Sequence, residues 1–416
     1  MASQPLSLAP LPAAARALAE PMVALRRAIH AEPELGLHTP KTLAKLRATL
    51  AHLPLEWREG PSTSGAVALL RGGQGAALGA LRPTVLLRGD MDALPMQEET
   101  GLAFASGVPG HMHACGHDAH TAMLAGAALL LAARADELPG DVLFMFQPGE
   151  EGHHGARFML EDGLVDGSCT GAPGRWPGAA FALHVMPNAP HGLVAGRTGA
   201  LMAGADQIDI AITGAGGHAS MPHHAADPVP VACEIVTALQ TMVSRQFDAH
   251  DPVVVTIAKI SAGTTHNVIP DSAFLKGTMR SLSPASRAAL REKASRLARH
   301  IAAAHGLEAE VTITPGFPVT VCDREAVELG EEVAGTLFGP ASFHRLPAPI
   351  MGAEDFAYVL EKVPGAMFFL GAAEEGADWQ SACGIHSPRM QLDEAVMPRG
   401  AAFLAGLATS WLAAQG

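Results

Sequence analysis

Residues 84–92 read TVLLRGDMD, a short apolar run that ends in two carboxylates. Three further apolar runs of similar length occur at 142–146, 180–183 and 366–370. Segments with helical periodicity separate them, and short continuous apolar strands with helices between them are typical of a parallel sheet covered on both faces. We therefore expect an α/β fold, with a central mixed, mostly parallel sheet and helices on both faces.

The middle of the chain follows a different pattern, because residues 207–213 alternate polar and apolar side chains as a half-exposed strand does. The segments that follow are a helix at 227–246, strands at 252–261 and 268–279, an amphipathic helix at 284–305 and a strand at 308–313. This βαββαβ order is that of a small split sandwich. We expect an inserted α+β dimerisation or lid domain at 200–312 and a discontinuous metal-binding catalytic domain at 1–199 and 313–416.

Composition excludes several classes of partner. The net charge of −13 disfavours nucleic acid, whose phosphates require basic patches. The most apolar stretch, 122–133, is shorter than the roughly 20 residues of a membrane span and predicts a buried helix. Five scattered cysteines form no CxxC pair, and the N-terminus lacks the features of a signal peptide, so we expect a cytoplasmic protein.

Polar side chains follow three of the apolar runs. Asp90 and Asp92 follow the first, Glu150 and Glu151 the second, and His184 the third. In open α/β sheets, binding sites form beyond the carboxyl ends of the strands. We therefore expect these side chains to converge on one site.

Residues 111–120, HMHACGHDAH, have the composition of a metal site, with four histidines, a cysteine and an aspartate. Gly116 separates Cys115 from His117, which allows a tight turn that aims both side chains at one ion. His111, His113 and His120 are expected to lie outside the ligand set. His386, near the C-terminus, is ambiguous without the other candidates.

Seven motifs in order along the chain resemble the M20 metallopeptidase family, in its aminoacylase/hippurate hydrolase branch. They are RGDMDALP (88–95), HACGHD (113–118), QPGEE (147–151), GHASMP (217–222), NVIP (267–270), GAEDF (352–356) and HSP (386–388). The resemblance covers nearly the whole chain. Other branches carry a histidine where this chain has Asp90, so the sharing of ligands between the metals is left open.

The resemblance implies a site for two divalent metal ions per subunit, with zinc or manganese favoured and cobalt or nickel as alternatives. The implied metal ligands are Cys115, His117, Glu151, His184 and His386. The resemblance also implies that Glu150 is the general base and that Asp92 lies near the metals. For the inserted domain, the resemblance implies that His218 reaches the substrate oxygen across a dimer and that Asn267 and Arg280 hold the substrate carboxylate.

The function predicted is the hydrolysis of the amide bond in N-acetyl or N-aroyl amino acids, including hippurate-like substrates. A dipeptidase or carboxypeptidase with the same site is the alternative within enzymes, and a non-catalytic metal sensor is the alternative outside them. The strand edge at 252–261 predicts a homodimer, with a tetramer as the alternative.

Overall fold

The computed structural model describes residues 6–74 and 82–415. The strands are β1 Leu55–Glu59, β2 Ala66–Leu70, β3 Thr84–Asp90, β4 Asp141–Gln147, β5 Ala179–Met186, β6 Val194–Gly196, β7 Gly199–Met202, β8 Gly204–Thr213, β9 Gly217–His218, β10 Val253–Ala262, β11 Val268–Ile269, β12 Ser272–Ser281, β13 Glu308–Pro315, β14 Thr320–Cys322, β15 Phe343–Arg345 and β16 Gly365–Gly371. The helices are α1 Leu11–Ala17, α2 Ala19–His30, α3 Pro40–Leu50, α4 His117–Ala132, α5 Gly155–Glu161, α6 Pro228–Gln246, α7 Pro284–Ala304, α8 Arg324–Phe338, α9 Ala357–Leu360 and α10 Met397–Ala413.

The chain forms two compact units. The large unit comprises Met1–Leu201, Val321–Ala348 and Tyr358–Gly416, and the inserted unit comprises Met202–Thr320 and Pro349–Ala357. The inserted unit thus includes residues 313–320 and 349–357, which were expected to belong to the catalytic domain. Backbone hydrogen bonds account for the difference, because the N–H of Ala205 donates to Phe317 and that of Ala203 to Ile350.

An eight-stranded sheet runs through the large unit in the order β1-β2-β4-β3-β5-β16-β6-β15. The four central strands β4, β3, β5 and β16 are parallel, whereas β2 and β6 join them antiparallel on either side. Every residue of β4 and β16 is buried, as expected for strands covered on both faces. The predicted fold class, a mixed and mostly parallel sheet flanked by helices, is confirmed.

Helix α4 begins directly after the cysteine-histidine segment. Fourteen of its 16 residues are buried, and it packs against α10 and α2. The apolar stretch at 122–133 is therefore a core helix, as predicted. In the described ranges, 6–74 and 82–415, no helix combines the length and the apolar character needed to span a membrane.

The inserted unit contains an antiparallel sheet in the order β10-β12-β8-β13. Asp227 and Ser283 cap α6 and α7, because their side chains accept hydrogen bonds from backbone N–H groups in the first turn of each helix. Their apolar faces share one core with the buried side chains of the strands, which include Ile208 and Ile210. The βαββαβ order of this unit is the one predicted.

The predicted single strand at 268–279 is wrong. It is interrupted after β11, which pairs with β9 in a separate two-stranded sheet, and it resumes as β12. Pro270 has no N–H to donate to a ladder. Asp271 accepts the N–H of Gly216 at 2.7 Å through its side chain, which fixes the break.

Candidate metal centre

The carboxyl ends of β3, β4 and β5 lie at one edge of the large sheet because the three strands are parallel and adjacent. Asp90 is directly opposite Gln147 in the register. The N–H of Met91 then donates to the carbonyl of Gln147 at 2.8 Å, so the two chains leave the sheet side by side. Asp92, Glu150 and Glu151 are thereby brought to the same edge.

Gly116 shapes the segment that carries Cys115 and His117. Its φ of +86° is in the left-handed region, where a side chain is strained, and a Cβ there would lie 2.4 Å from Val185 Cγ2. Cys115 therefore precedes the turn, and His117 is the first residue of α4. A glycine between two candidate ligands is required both by the backbone angle and by the lack of space.

The structure brings the five predicted metal ligands together. Cys115 Sγ is 3.3 Å from His184 Nε2, and His386 Nε2 is 3.1 Å from Glu151 Oε1. Side-chain donor atoms lie within 4.8 Å of one another in several overlapping groups, which include Cys115, His117 and His184; Cys115, Glu151 and His386; and His117, Glu150 and Glu151. Because Cys115 belongs to two groups, the donors surround two neighbouring positions.

The tautomers of the two buried histidines leave one nitrogen of each for a cation. His117 Nδ1 is 2.8 Å from the carbonyl oxygen of Asp92, and His184 Nδ1 is 2.7 Å from that of Val185. A carbonyl only accepts, so both Nδ1 atoms are donors and both Nε2 atoms carry a lone pair when the rings are neutral. His117 Nε2 is buried and has no hydrogen-bond partner among the described residues. This orphaned atom fits a metal ligand.

The electrostatics of the cluster also fit a cation. Burial lowers the pKa of His117 and the negative charge of Asp90 raises it, and the pKa ends well above its usual value. Burial raises the pKa of the Cys115 thiol, so a thiolate there requires a nearby positive charge. Contacts with Cys115 and Glu151 raise the pKa of His386 to about 10. His117 and His386 therefore hold protons that a cation would displace, whereas burial keeps the pKa of His184 well below its usual value.

His386 itself has an unusual backbone. Its φ is +64°, a left-handed conformation that few non-glycine residues adopt. Its N–H donates to the carbonyl of Ala114 at 2.7 Å, which ties the C-terminal segment to the residue before Cys115. Strained backbone of this kind clusters at functional sites because the surrounding structure must hold it.

Asp92 anchors the Glu150–Glu151 turn. Its Oδ1 and Oδ2 accept the backbone N–H groups of Glu150 and Glu151, each at 3.0 Å. Its carboxylate is 3.5 Å from His117 Nδ1, which is closer to the carbonyl oxygen of Asp92. Asp92 thus holds the two glutamates in place through their backbone.

Asp90 and His120 do not offer free ligand atoms, although both are close to His117. His120 Nε2 accepts the N–H of Val185 at 2.9 Å, so its Nδ1 carries the proton and donates to Asp90 Oδ1 at 2.6 Å. The other oxygen of Asp90 accepts from Arg88 at 2.5 Å. We therefore exclude a cation held by Asp90, His117 and His120. The ring of His120 packs against that of His184 in a T-shaped arrangement, with the ring centroids 4.5 Å apart.

The three predicted residues of the inserted unit are divided between two ends of its sheet. His218 is exposed and its Nδ1 accepts the N–H of Ser220 at 3.1 Å, while the carbonyl of Asn267 accepts the N–H of Ala219. Arg280 is eight residues along β12 from its first residue, Ser272, a separation of about 26 Å at roughly 3.3 Å per residue. Within one chain, the structure does not bring Arg280 to Asn267.

Sequence reasoning missed a buried ionic network beside the centre. Asp118 Oδ2 accepts from Arg26 Nε at 3.0 Å and lies 2.7 Å from His30 Nδ1. The helical periodicity could have indicated this network, because it places Arg26 and His30 on the buried face of α2 with Met22 and Ile29. Ionisable side chains on such a face need a buried partner.

A cavity of about 590 Å³ opens in the large unit beside the segment that carries His386. Phe104 and Trp379 contribute aromatic walls, and Cys383 and Arg389 flank the His386 segment. Its size is that of a small-molecule pocket.

The chain is similar in sequence to proteins of known type. A model of the peptidase family M20/M25/M40 matches residues 86–410. IAA-amino acid hydrolase ILR1-like 2 of Arabidopsis thaliana is 37% identical over 94% of this chain and 85% of that protein. N-acetylcysteine deacetylase of Bacillus subtilis is 38% identical over 93% of this chain and 96% of that protein.

The chain is also similar to a solved structure, a dinuclear metal-binding peptidase of the M20 family from Bacillus subtilis. The TM-score is 0.81 at 34% identity, over 95% of this chain and 99% of that one. The family model spans more than half of the chain, and the matched region includes all seven motifs in full. The chain belongs to the peptidase family M20/M25/M40.

Proposed function

We propose that this protein is a metal-dependent amidohydrolase that cleaves the amide bond of N-acylated amino acids and releases a carboxylic acid and a free amino acid. The observation that carries the proposal is the buried Nε2 of His117, which has no hydrogen-bond partner in the described part of the chain and lies among the donor atoms of Cys115, His184 and Glu151. The names of the two relatives support the substrate class, because one acts on an IAA-amino acid and the other on N-acetylcysteine.

Two divalent cations would be held by Cys115, His117, Glu151, His184 and His386. The dinuclear relative supports this number, and the shared position of Cys115 supports two adjacent cations. Thiolate and imidazole donors favour zinc, cobalt or nickel, and the carboxylate tolerates manganese; we favour zinc or manganese. When bound, the cations polarise the scissile carbonyl and lower the pKa of a water.

Glu150 acts as the general base. Its backbone is fixed by Asp92, and its Oε2 lies 4.0 Å from His117 Nε2, beside the atoms proposed to hold the cations. The carboxylate takes a proton from the attacking water, whose oxygen bonds to the carbonyl carbon. The C–N bond then breaks, and Glu150 delivers the same proton to the leaving nitrogen.

The inserted unit supplies substrate contacts and a dimer interface in this proposal. His218 stabilises the developing charge on the substrate oxygen from the partner subunit, and Asn267 and Arg280 bind the substrate carboxylate. Exposed apolar side chains on the edge strand β10 and its neighbour, Val254, Ile260 and Phe274, support a homodimer through this sheet, with a tetramer as the alternative. The separation of Asn267 from Arg280 is compatible with their serving the sites of different subunits. Analytical ultracentrifugation tests the proposed homodimer through the sedimentation coefficient, and a monomer at assay concentration would contradict it.

A substrate panel tests the proposal. The chain is stripped of metal, reloaded with zinc, manganese or cobalt, and assayed with N-acetyl amino acids, N-benzoylglycine and dipeptides that carry a free amine. We expect turnover of the acylated amino acids. Faster turnover of the dipeptides would favour a dipeptidase or carboxypeptidase, and bound metal without any turnover would favour the sensor.

A further inference from the structure

Asp118 is a buried carboxylate that follows His117 in the first turn of α4. Its Oδ2 accepts from Arg26 Nε at 3.0 Å and is 2.7 Å from His30 Nδ1. All three side chains are at most 2% exposed. Consecutive residues of a helix point about 100° apart, so Asp118 directs its charge away from the donor atoms that His117 faces.

The partners of Asp118 are themselves anchored. Arg26 Nη1 donates to Glu394 Oε1 at 2.9 Å, just before α10. His30 Nε2 is 3.2 Å from Glu98 Oε1, and Glu98 also accepts the N–H of Ser106 at 2.7 Å. Asp118 therefore connects the turn at 115–118 to α2, to the loop at 98–106 and to the start of α10.

This network holds one side of the turn, and the candidate centre holds the other. On the inner side, His117 Nδ1 bonds to the carbonyl of Asp92. On the outer side, the buried charge of Asp118 is stabilised only while it stays against Arg26 and His30, because a buried carboxylate without partners is costly. A displacement of the turn would break both sets of contacts.

We propose that Asp118, held by Arg26 and His30, is a positioning residue that fixes Cys115 and His117 in the arrangement that binds the cations. The inference rests on the proposed metal-dependent function and deepens it. Asp118 touches neither substrate nor reacting atoms, and it acts through the backbone of His117. Groups that orient metal ligands typically change metal affinity 10–100-fold when they are altered.

Two substitutions of His30 separate this role from simple packing. The side-chain amide nitrogen of asparagine takes the place of Nδ1, so His30→Asn keeps a donor for Asp118 and loses the contact with Glu98. The longer His30→Gln places its nitrogen near the position of Nε2, so it keeps the contact with Glu98 and loses that with Asp118. We expect H30N to bind zinc within about threefold of the unsubstituted chain and H30Q to bind it at least about tenfold more weakly.

The measurement is zinc affinity of the full, metal-stripped chain, by competition with a chromogenic chelator, with kcat and KM measured at saturating zinc. Asp118→Asn is expected to lose affinity at least as much as H30Q. Asp141→Asn is the matched control, because Asp141 is another buried carboxylate paired with arginines, at the opposite edge of the sheet, and it should leave zinc affinity unchanged. If D118N does not fold, the two His30 variants still decide the question.

Equal zinc affinities for H30N and H30Q, or a D118N chain that binds zinc as the unsubstituted chain does, would overturn this inference alone. An unsubstituted chain that binds no divalent cation would instead overturn the proposed function. Loss of zinc affinity in D141N equal to that in D118N would show that the loss reflects general destabilisation, and it would overturn the positioning role.

Discussion

Two buried polar side chains at opposite edges of the large sheet, Asp141 and His117, differ in whether the chain supplies their hydrogen-bond partners. At the amino end of β4, Asp141 accepts from Arg71 at 2.9 Å and from the N–H of Gly72 at 3.1 Å, so both of its oxygens have protein partners. At the carboxyl ends of the same strands, His117 Nε2 is buried with no hydrogen-bond partner in the described residues. Buried polar groups normally find partners. The difference indicates that the carboxylate of Asp141 is satisfied within the chain, whereas the cluster around His117 is built to receive something else.

The substitution Glu150→Gln at the carboxyl edge has the largest expected effect on catalysis. Glutamine keeps the size of the side chain and cannot take a proton, so we expect kcat to fall about 10²–10⁴-fold. Metal content should stay at the wild-type value, because Glu150 is proposed as the base and not as a ligand. Steady-state kinetics and metal analysis of the same sample measure both, and a retained rate would refute the assignment.

The pH dependence of metal affinity has the next largest expected effect. Contacts with Cys115 and Glu151 raise the pKa of His386 to about 10, so below that pH a cation must displace a proton from this ring. For each proton displaced, the apparent affinity should rise about tenfold per pH unit between about 7 and 9. The raised pKa also means that this proton stabilises the folded, metal-free chain. That contribution to the free energy of unfolding is fully present below pH 6.5, the pKa of histidine in the unfolded chain, and it is lost as the pH rises through about 10.

Chelator competition at pH 7, 8 and 9 measures this slope. A flat affinity across that range would mean that no protons leave the site when a cation enters. Melting temperatures of the metal-free chain should fall over the same range, which provides an independent check on the sign.

Asp92→Asn tests the anchor of the glutamate turn. The substitution replaces an oxygen that accepts a backbone N–H with an amide group that is itself a donor, so one of the two 3.0 Å bonds to Glu150 and Glu151 is lost. We expect activity to fall about 10–100-fold, because the turn that carries Glu150 is held less firmly. Zinc affinity should change less, because the side chain of Glu151 is still present to bind the cation. Unchanged activity would show that the turn holds its shape without the carboxylate.

Asp141→Asn, at the amino edge, has the smallest expected effect on activity. Loss of the carboxylate leaves Arg71 and Arg82 beside a neutral side chain, so we expect a lower melting temperature and kcat within about twofold of wild type. Circular dichroism melting and kinetics distinguish the two effects. A large loss of kcat without a loss of stability would remove the contrast between the edges.

The sequence predicted those parts of the fold that have a strong local pattern. The strands β3, β4, β5 and β16 were predicted because each is a continuous apolar run, which burial on both faces requires. The strand β15 was missed because three residues at a sheet edge show no periodicity. The fold class predicted from the apolar runs and the family predicted from the motifs are both confirmed.

The candidate site was predictable where its residues follow strands or share one segment, as Glu150, Glu151, His184, Cys115 and His117 do. His386 was identified only through the family resemblance, because it lies in an irregular segment with a left-handed backbone that no pattern predicts.

The supporting contacts were not predictable from local sequence. They join residues distant in the chain, because the residue numbers differ by 30 for Asp90 and His120 and by 92 for Arg26 and Asp118. Only the packing of α2 and α4 and the ends of the strands brings these pairs together. The roles assigned to His218, Asn267 and Arg280 stay predictions.

The most direct measurement is the metal content of the purified chain together with its turnover of an N-acyl amino acid before and after chelation. We predict two divalent cations per chain, loss of turnover when a chelator removes them, and recovery when zinc or manganese is returned. Protein that contains no divalent cation and keeps its full turnover in chelator would contradict the account.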